Sequence, residues 1–483
     1  MKYVIIGNGI IALSSAFRLL QKCGSQDEIV IVGPADRVGS ATLAAAAMQN
    51  SFAEIGAHSL KSDEDFFHFE LSHKATREWP AFERDLIAAA GENLPKDCSQ
   101  CEIYTGGCFE QGTYVINNTA TDELDDKNFK AILQALEDFN EQHMLVDPAD
   151  IPNYYPSQHK RATQAVYIPN EGWLNPRLVL EKLDNILAND DRVTVIDAKV
   201  THLEAEGGQI KHVVTEGGEC VSGDEYLLAA GAPTQSILEN SKLDIETIKM
   251  FYGIGVSLEI VSPGYPHTKC IRTPNRGGAC GVYTVPFYLG PGKSKEHIVI
   301  GASNYLSPEP VYHGRLISIE HLMRAATEEI NGHFYNAQLV RTNVGWRPTS
   351  QDTFPLIGRS SLRNLTIATG TKRDGFHMSP VLSEVIADML LHNPVDTRFS
   401  YFHPERELIK NVDRETGIDI VVESLMSEQY QHDYRPSNIR MNQQVRNTYR
   451  QDIEALHDKV GAVDWGIPPE LVNMYRRGFA KVK

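Results

Sequence analysis

The sequence predicts an α/β chain in which a parallel-sheet domain is interleaved with a β-rich, antiparallel-sheet domain and followed by a helical C-terminal extension. Three observations predict it. A strand, a helix and a second strand follow one another within residues 2–32, which is a βαβ unit and implies a parallel sheet. Further α/β segments recur in the middle and near residue 400, with β-rich segments between them. After Phe402 the chain turns charged and helical, with few glycines.

Residues 2–6 read as a short buried strand (YVII after Lys2), bounded by Gly7. Residues 10–20 follow as a helix, with Ile10, Leu13, Phe17 and Leu20 at helical spacing. Residues 28–32 (EIVIV) form a second strand closed by Gly33-Pro34. A helical region over 63–90 carries Phe66, Phe67, Phe69 and Leu71 as apolar surface, and residues 102–117 read as short strands with Gly-rich turns. Helices are expected over 129–142 and 176–187, the second opened by Asn175-Pro176. Residues 192–203 and 208–215 alternate like strands around a Gly207-Gly208 hairpin turn. Residues 226–231 and 365–370 are strands running into glycine, residues 250–305 are β-rich, and residues 316–330 and 379–391 are helical. The order places a discontinuous cofactor domain in 1–60, 166–240 and 340–402, a substrate domain in 61–165 and 241–339, and the extension in 403–483. That extension reads as a solvated helical tail, with residues 463–470 (VDWGIPPE) as a turn able to dock on a partner or close the active site.

Composition bounds the function. A chain of 483 residues exceeds one ordinary core and suggests about two to three domains. Its 63 acidic residues against 46 basic give a net charge of -17, which argues against a nucleic-acid surface, since phosphate binding needs clustered Lys and Arg. No segment reaches the roughly 18 apolar residues that span a bilayer, and Gly7, Asn8 and Gly9 interrupt the apolar start, so neither membrane nor targeting segment is expected. Seven cysteines are too few for a disulfide framework and point to a cytoplasmic setting. Cys98 and Cys101 form a CxxC near Cys108; free thiols, with no metal, are the reading adopted.

Gly7-Asn8-Gly9-Ile10-Ile11-Ala12 is a G-x-G-x-x-A run directly after a strand and opening a helix, the Rossmann-type dinucleotide fingerprint. Gly7 permits the tight turn, Gly9 lets a pyrophosphate approach the main chain, and Ala12 lets helix and strand pack closely. The phosphates then meet the N–H groups at the start of the helix. The acidic residue expected to bind a ribose hydroxyl at the end of the second strand is missing. Val32 and Gly33 stand there, and Asp36 is either its substitute or a plain turn residue.

Further motifs carry a resemblance. Gly345-Trp346-Arg347-Pro348-Thr349-Ser350-Gln351-Asp352 and then Pro355-Leu356-Ile357-Gly358 are followed by Ala368-Thr369-Gly370-Thr371-Lys372-Arg373-Asp374-Gly375. Upstream stand the small-residue run Gly39 to Met48, Gly172-Trp173-Leu174-Asn175-Pro176, and Ala229-Ala230-Gly231-Ala232. In this order the motifs resemble the D-amino-acid oxidase/glycine oxidase/sarcosine oxidase family of FAD-dependent oxidoreductases, over roughly residues 1–406. The resemblance implies FAD held by Gly7, Gly9, Ile10, Ile11 and Ala12, by Ala44, Ala45, Ala46 and Met48, by Val200, Ala230 and Gly231, and by Gly370, Arg373, Asp374, Gly375, Phe376 and His377. With neither His nor Cys in residues 43–47, the FAD is expected to be non-covalent.

By the same resemblance Arg347 binds the substrate carboxylate, which suits a guanidinium offering two parallel donors; the alternative is pairing with an internal Asp. Arg373 is a second substrate-side candidate, against a surface or flavin-side role. Tyr252 and Tyr283 are candidates for a further carboxylate contact, against plain core tyrosines. Lys372 is either an assistant to oxygen and reduced flavin or a solvated lysine. The reaction implied is oxidation of the C–N bond of a small amino acid or secondary amine carrying a carboxylate. Hydride passes to flavin N5, the imine hydrolyses, and oxygen reoxidises the flavin. A dehydrogenase passing electrons to a partner and a non-catalytic flavin-binding protein are the alternatives. The partners expected are the amine or amino acid and oxygen, with no nucleic acid and no membrane, and a homo-oligomer is left open.

Overall fold

The computed structural model describes residues 1–95, 109–278, 280–287 and 296–482. A six-stranded sheet runs in the order Leu356–Arg359, Leu365–Thr369, Glu225–Leu228, Lys2–Ile6, Glu28–Val32, Val193–Ile196. All its pairs are parallel except the first, which is antiparallel. Its strands are apolar on both sides because both faces are covered. Tyr3, Ile5, Ile29 and Ile31 face the helices Ile10–Lys22, Asp63–Ala90, Pro176–Ala188 and Ser379–Leu390. Val4, Ile6, Val30 and Val32 face a three-stranded sheet of Val200–Glu206, Gln209–Thr215 and Cys220–Val221.

The second layer is a ten-stranded sheet. Its backbone is the 12-residue strand Met250–Val261, paired antiparallel along its whole length with Gln338–Ser350. It continues through His297–Gly301, Tyr283–Pro286, Cys270–Arg272, Glu110–Asn117 and Gln164–Trp173 to Met48–Gln49. Only Cys270–Arg272 with Glu110–Asn117 is a parallel pair. Strands Met48–Gln49, Gln164–Trp173 and Gln338–Ser350 thus lie in this larger sheet, so the chain changes layers inside the segments 1–60, 166–240 and 340–402.

Several local expectations shift. The helix expected over 129–142 spans Glu123–Asp138, because Glu123, Asp125 and Asp126 place acidic side chains in its first turn, where the helix dipole favours them. The helix expected over 316–330 is α-helical over Leu316–Ala325 and widens into a π-turn at Ala326–Ile330. Residues 192–203 are two strands in two different sheets, Val193–Ile196 and Val200–Glu206, a change that alternation alone does not reveal. Residues 102–108, with Cys98 and Cys101, lie outside the described residues. No described helix is long and apolar enough to cross a membrane.

The largest correction concerns the C-terminal extension, which is packed rather than solvated. Helices Arg414–Gln431, Ile439–Val460 and Val472–Arg476 build a core from Ile418, Val421, Met426, Ile453, Trp465, Ile467, Leu471, Met474 and Tyr475. Phe251 and Leu306 of the ten-stranded sheet belong to the same core. The apolar residues between 465 and 480 bury because they pack against the helices Arg414–Gln431 and Ile439–Val460 and against Phe251 and Leu306 of the sheet. Polar anchors join it: the Gln351 side-chain amide donates to Tyr475 Oη (2.8 Å) and to the Lys481 carbonyl (2.7 Å), and Arg406 pairs with Asp352.

Gly417 and Gly466 let the helix Arg414–Gln431 and the 463–470 turn touch main chain to main chain. A Cβ at Gly417 would lie 2.2 Å from Gly466 Cα. Gly417→Ala is therefore expected to destabilise the chain by about 1–3 kcal/mol, read as a lower midpoint of the first chemical-denaturation transition. An unchanged midpoint would show that the two segments do not pack.

Candidate functional site

A cavity of about 860 Å³ lies between the two large sheets, a size typical of a cofactor cleft. Its nucleotide end is built by the first βαβ unit. Gly7 has φ +121°, and a Cβ there would sit 2.3 Å from the Ala229 carbonyl oxygen, so the turn and the close approach to the neighbouring strand both require glycine. Gly9 caps the helix Ile10–Lys22 with no side-chain cap, and a Cβ on it would meet only Thr42 Oγ1, at 3.7 Å. The space over Gly9 is thus a cradle that any side chain would fill, facing the positive end of a helix dipole. Ile10 and Ile11 line it, and the Ile10 N–H donates to Thr42 Oγ1 at 3.3 Å. Ala12 is fully buried and off the wall, consistent with a packing role between helix and strand.

Asp36 and Arg37 both line the cavity after the second strand. Arg37 is held by Asp184 at 2.6 Å and donates to the Asn8 carbonyl, whereas an Asp36 carboxylate oxygen accepts from the Val38 N–H. Val200, Ala230 and Gly231 are on the same wall.

The middle of the cavity is bounded by Ala44, Ala45, Ala46 and Met48. These residues are small because the long strands press on them: Ser257 Oγ donates to the Ala44 carbonyl at 3.0 Å, and a Cβ at Gly345 would lie 2.8 Å from Ala44 Cβ. Gly370 is off the wall; its φ of +70° turns the chain so that Thr371, Lys372, Arg373, Asp374, Gly375, Phe376 and His377 line it. The His377 imidazole is tied to helix Asp63–Ala90: Nε2 lies 2.7 Å from Thr76 Oγ1, and burial drives its pKa down to about 4. Its carbonyl accepts from Trp79 Nε1, and Phe376 stacks on Trp79 at 5.0 Å, so this pair of residues anchors the segment.

The far end carries the charges. Arg347 stands opposite Gly253 on the paired long strands, and its guanidinium lies over Gly255, where a Cβ would be 2.5 Å from Arg347 Cζ. Its Nη1 donates to the Ser303 carbonyl (2.9 Å) and Asn304 Oδ1 (3.1 Å), and among the described residues no carboxylate pairs with it. The alternative of an internal Asp partner is thus not realised there. Tyr283 stands opposite Gly301, its ring in the space a side chain there would take. Paired residues share a face and successive residues alternate, so Tyr283 and Arg347 leave the same face of the sheet. Burial pushes the Tyr283 phenol up, with Cys280 adding to the shift and Arg347 opposing it. Tyr252, opposite Pro348, leaves the other face and packs edge-on to Trp346 at 5.7 Å. The structure therefore brings Tyr283 to Arg347 and takes Tyr252 away from it, although Tyr252 still borders the cavity.

Ion pairs fix the other cations. Arg373 meets Glu54 at 3.3 Å, and Glu54 also takes Arg272 at 2.6 Å. Burial works to raise the Glu54 carboxyl, but Arg272 and Arg373 hold it below the usual carboxylate range. Glu171 holds the loop that presents Glu54, accepting from Asn50 Nδ2 (2.7 Å) and the Phe52 N–H (2.5 Å); burial brings its pKa up to about 7. Lys372 is not a solvated lysine: its ammonium meets Glu470 of the extension at 2.8 Å. Glu54, Arg272 and Glu470 were not legible as site residues, since none belongs to a local motif; only the 463–470 turn hinted at the last.

Comparison with known proteins agrees with this geometry. A family model described as FAD dependent oxidoreductase matches residues 2–389. Glycine oxidase of Bacillus licheniformis is 24% identical over 414 residues, covering 84% of this chain and 97% of that protein. The bifunctional protein ThiO/ThiG of a Nostoc species is 39% identical over 62 residues, a match that spans only 10% of its length. The crystal structure of glycine oxidase from Geobacillus kaustophilus has a TM-score of 0.68 at 18% identity, covering 84% of this chain and 99% of that one.

The cradle over Gly9 gives a direct check. Gly9→Val has protein-side room and an extended main chain (φ -81°), so its far-UV circular dichroism should match wild type. Its FAD affinity should fall at least about tenfold, or ~1.4 kcal/mol, measured as bound flavin absorbance per chain. Wild-type flavin content in this variant would remove Gly9 from the site.

Proposed function

The chain belongs to the FAD-dependent oxidoreductase family, and from that premise we propose that it oxidises the C–N bond of a small amino acid or secondary amine bearing a carboxylate, with oxygen as final acceptor. The observation that carries this reading is Arg347, a guanidinium on the cavity wall that, among the described residues, has neutral acceptors and no carboxylate partner. FAD fits the residues present: a glycine cradle at a helix N-terminus for the pyrophosphate, and a small-residue wall leading to the charged end. Bound there, FAD supplies the two-electron oxidant that takes a hydride from the substrate carbon.

The chain's own residues do the positioning. Arg347 binds the carboxylate through two parallel N–H donors and so fixes the orientation of the carbon to be oxidised. Tyr283, kept neutral by its raised pKa, offers its hydroxyl as a further donor on the same face. Glu54 and Glu470 are weak bases, because their cationic partners hold both carboxyls below the ordinary range. His377 is turned away and neutral. In this reading the substrate amine binds with its proton already given up to water. We assign the six-stranded layer and its helices to FAD and the ten-stranded layer to the substrate. The place of action proposed is the cytoplasm.

Anaerobic titration of the yellow holoenzyme with a panel of amino acids and N-alkyl glycines tests the proposal. At least one member should bleach the visible flavin band, and readmitted air should restore it with release of hydrogen peroxide. Bleaching without peroxide would assign the reoxidation to a partner protein, and no bleaching by any member would contradict the proposal. Arg347→Met should raise KM for that substrate by about 10²-fold or more (~2–5 kcal/mol) while leaving the bound FAD in place.

A further inference from the structure

The C-terminal extension lies beyond the matched residues 2–389, yet it reaches the charged end of the cavity. Glu470 is delivered there by a rigid turn. Trp465, Ile467 and Leu471, on either side of it, are buried in the extension's own core, and Gly466 is locked against Gly417. One Glu470 oxygen takes the Lys372 ammonium at 2.8 Å, while the other is buried without a hydrogen-bond partner. Lys372 is set beside Arg347 by the main chain: its N–H donates to the Pro348 carbonyl at 2.8 Å, and both side chains border the cavity. Lys372 itself is fixed in a left-handed conformation, φ +49°, that points its side chain at the extension.

We infer that Glu470 is a specificity-determining residue: by neutralising Lys372 it leaves Arg347, among the described residues, as the cation at this position with no carboxylate partner, and so sets the site for a monocarboxylate over a dicarboxylate. The inference rests on the proposed role of Arg347 in binding the substrate carboxylate. Arg272 and Arg373 are both tied to Glu54, at 2.6 and 3.3 Å, which holds their guanidinium groups in place. Burial works to raise the Glu470 carboxyl, but Lys372, Arg373 and Arg347 hold it below the ordinary carboxylate range, so the neutralising charge is present at neutral pH. Charges this close in a partly desolvated site interact strongly enough to change ligand preference severalfold. Glu470 thus acts through Lys372 and needs no contact with the substrate.

The test is ligand binding to the holoenzyme, read as perturbation of the visible flavin spectrum by acetate and by malonate. In wild type acetate should bind, and the ratio of the acetate Kd to the malonate Kd sets the reference. Glu470→Gln keeps the shape, frees the Lys372 charge, and should raise that ratio about tenfold in favour of malonate. Adding Lys372→Met to Glu470→Gln should return the ratio to within about twofold of wild type, which a purely structural role of the turn would not do. Lys372→Met alone leaves the Glu470 carboxylate unneutralised and should move the ratio the other way, a result available even if Glu470→Gln does not fold. An unchanged ratio in either single variant that still binds acetate overturns this inference alone. Failure of both anions to perturb the wild-type flavin overturns it together with the reading of Arg347.

Discussion

A dinucleotide brings two phosphate charges into a protein, and a low-dielectric interior tolerates them only where fixed donors already point at them. The first helix meets that demand at Gly9, where its N-terminus carries no side-chain cap of its own and nothing on Cα keeps a phosphate away. The rest of the architecture follows from holding this helix end still. The strand Lys2–Ile6 lies centrally in the six-stranded sheet, and the helix behind Gly9 is clamped by Ser379–Leu390 and Pro176–Ala188. The second layer then faces the helix end across a cavity whose walls are glycine and alanine wherever main chain must come close.

The charged end of the cavity obeys a second constraint, that buried cations need partners. Arg272 and Arg373 share Glu54, and Lys372 has Glu470. Arg347 is left with a carbonyl and an amide oxygen. A guanidinium arranged in this way costs stability when the site is empty and regains it when an anion arrives, which fits the carboxylate-binding role proposed for Arg347. The extension shares in this arrangement, because its core stands on Phe251 and Leu306, and the strand of Phe251 pairs with the one that carries Arg347.

Much of this was legible in the sequence where the signal is local. Strands 2–6 and 28–32 and the helix over 63–90 read correctly because a short apolar run or a helical period, bounded by glycine or a cap, is complete within its own segment. The Gly7-Asn8-Gly9 motif is local in its spacing, although the need for glycine at Gly7 comes partly from the distant Ala229 carbonyl. What stayed hidden is non-local. Alternation could not tell that 193–196 and 200–206 join different sheets, nor that Tyr252 and Arg347 leave opposite faces, since both follow from register with distant strands. Glu54 and Glu470 became site residues only through partners more than ninety residues away in the chain. The packing of the 463–480 segment is hidden in the sequence because its apolar residues bury against distant partners, the helices Arg414–Gln431 and Ile439–Val460 and the sheet residues Phe251 and Leu306.

The account turns on FAD resting against the main chain at Gly9. The most direct measurement is the visible spectrum of the purified wild-type chain, with quantitation of the FAD released into the supernatant when the protein is heat-denatured. The expected result is a flavin absorption band in the native protein and close to one FAD released per chain, with no flavin left on the precipitate. A colourless protein that takes up no FAD when it is supplied would contradict the account.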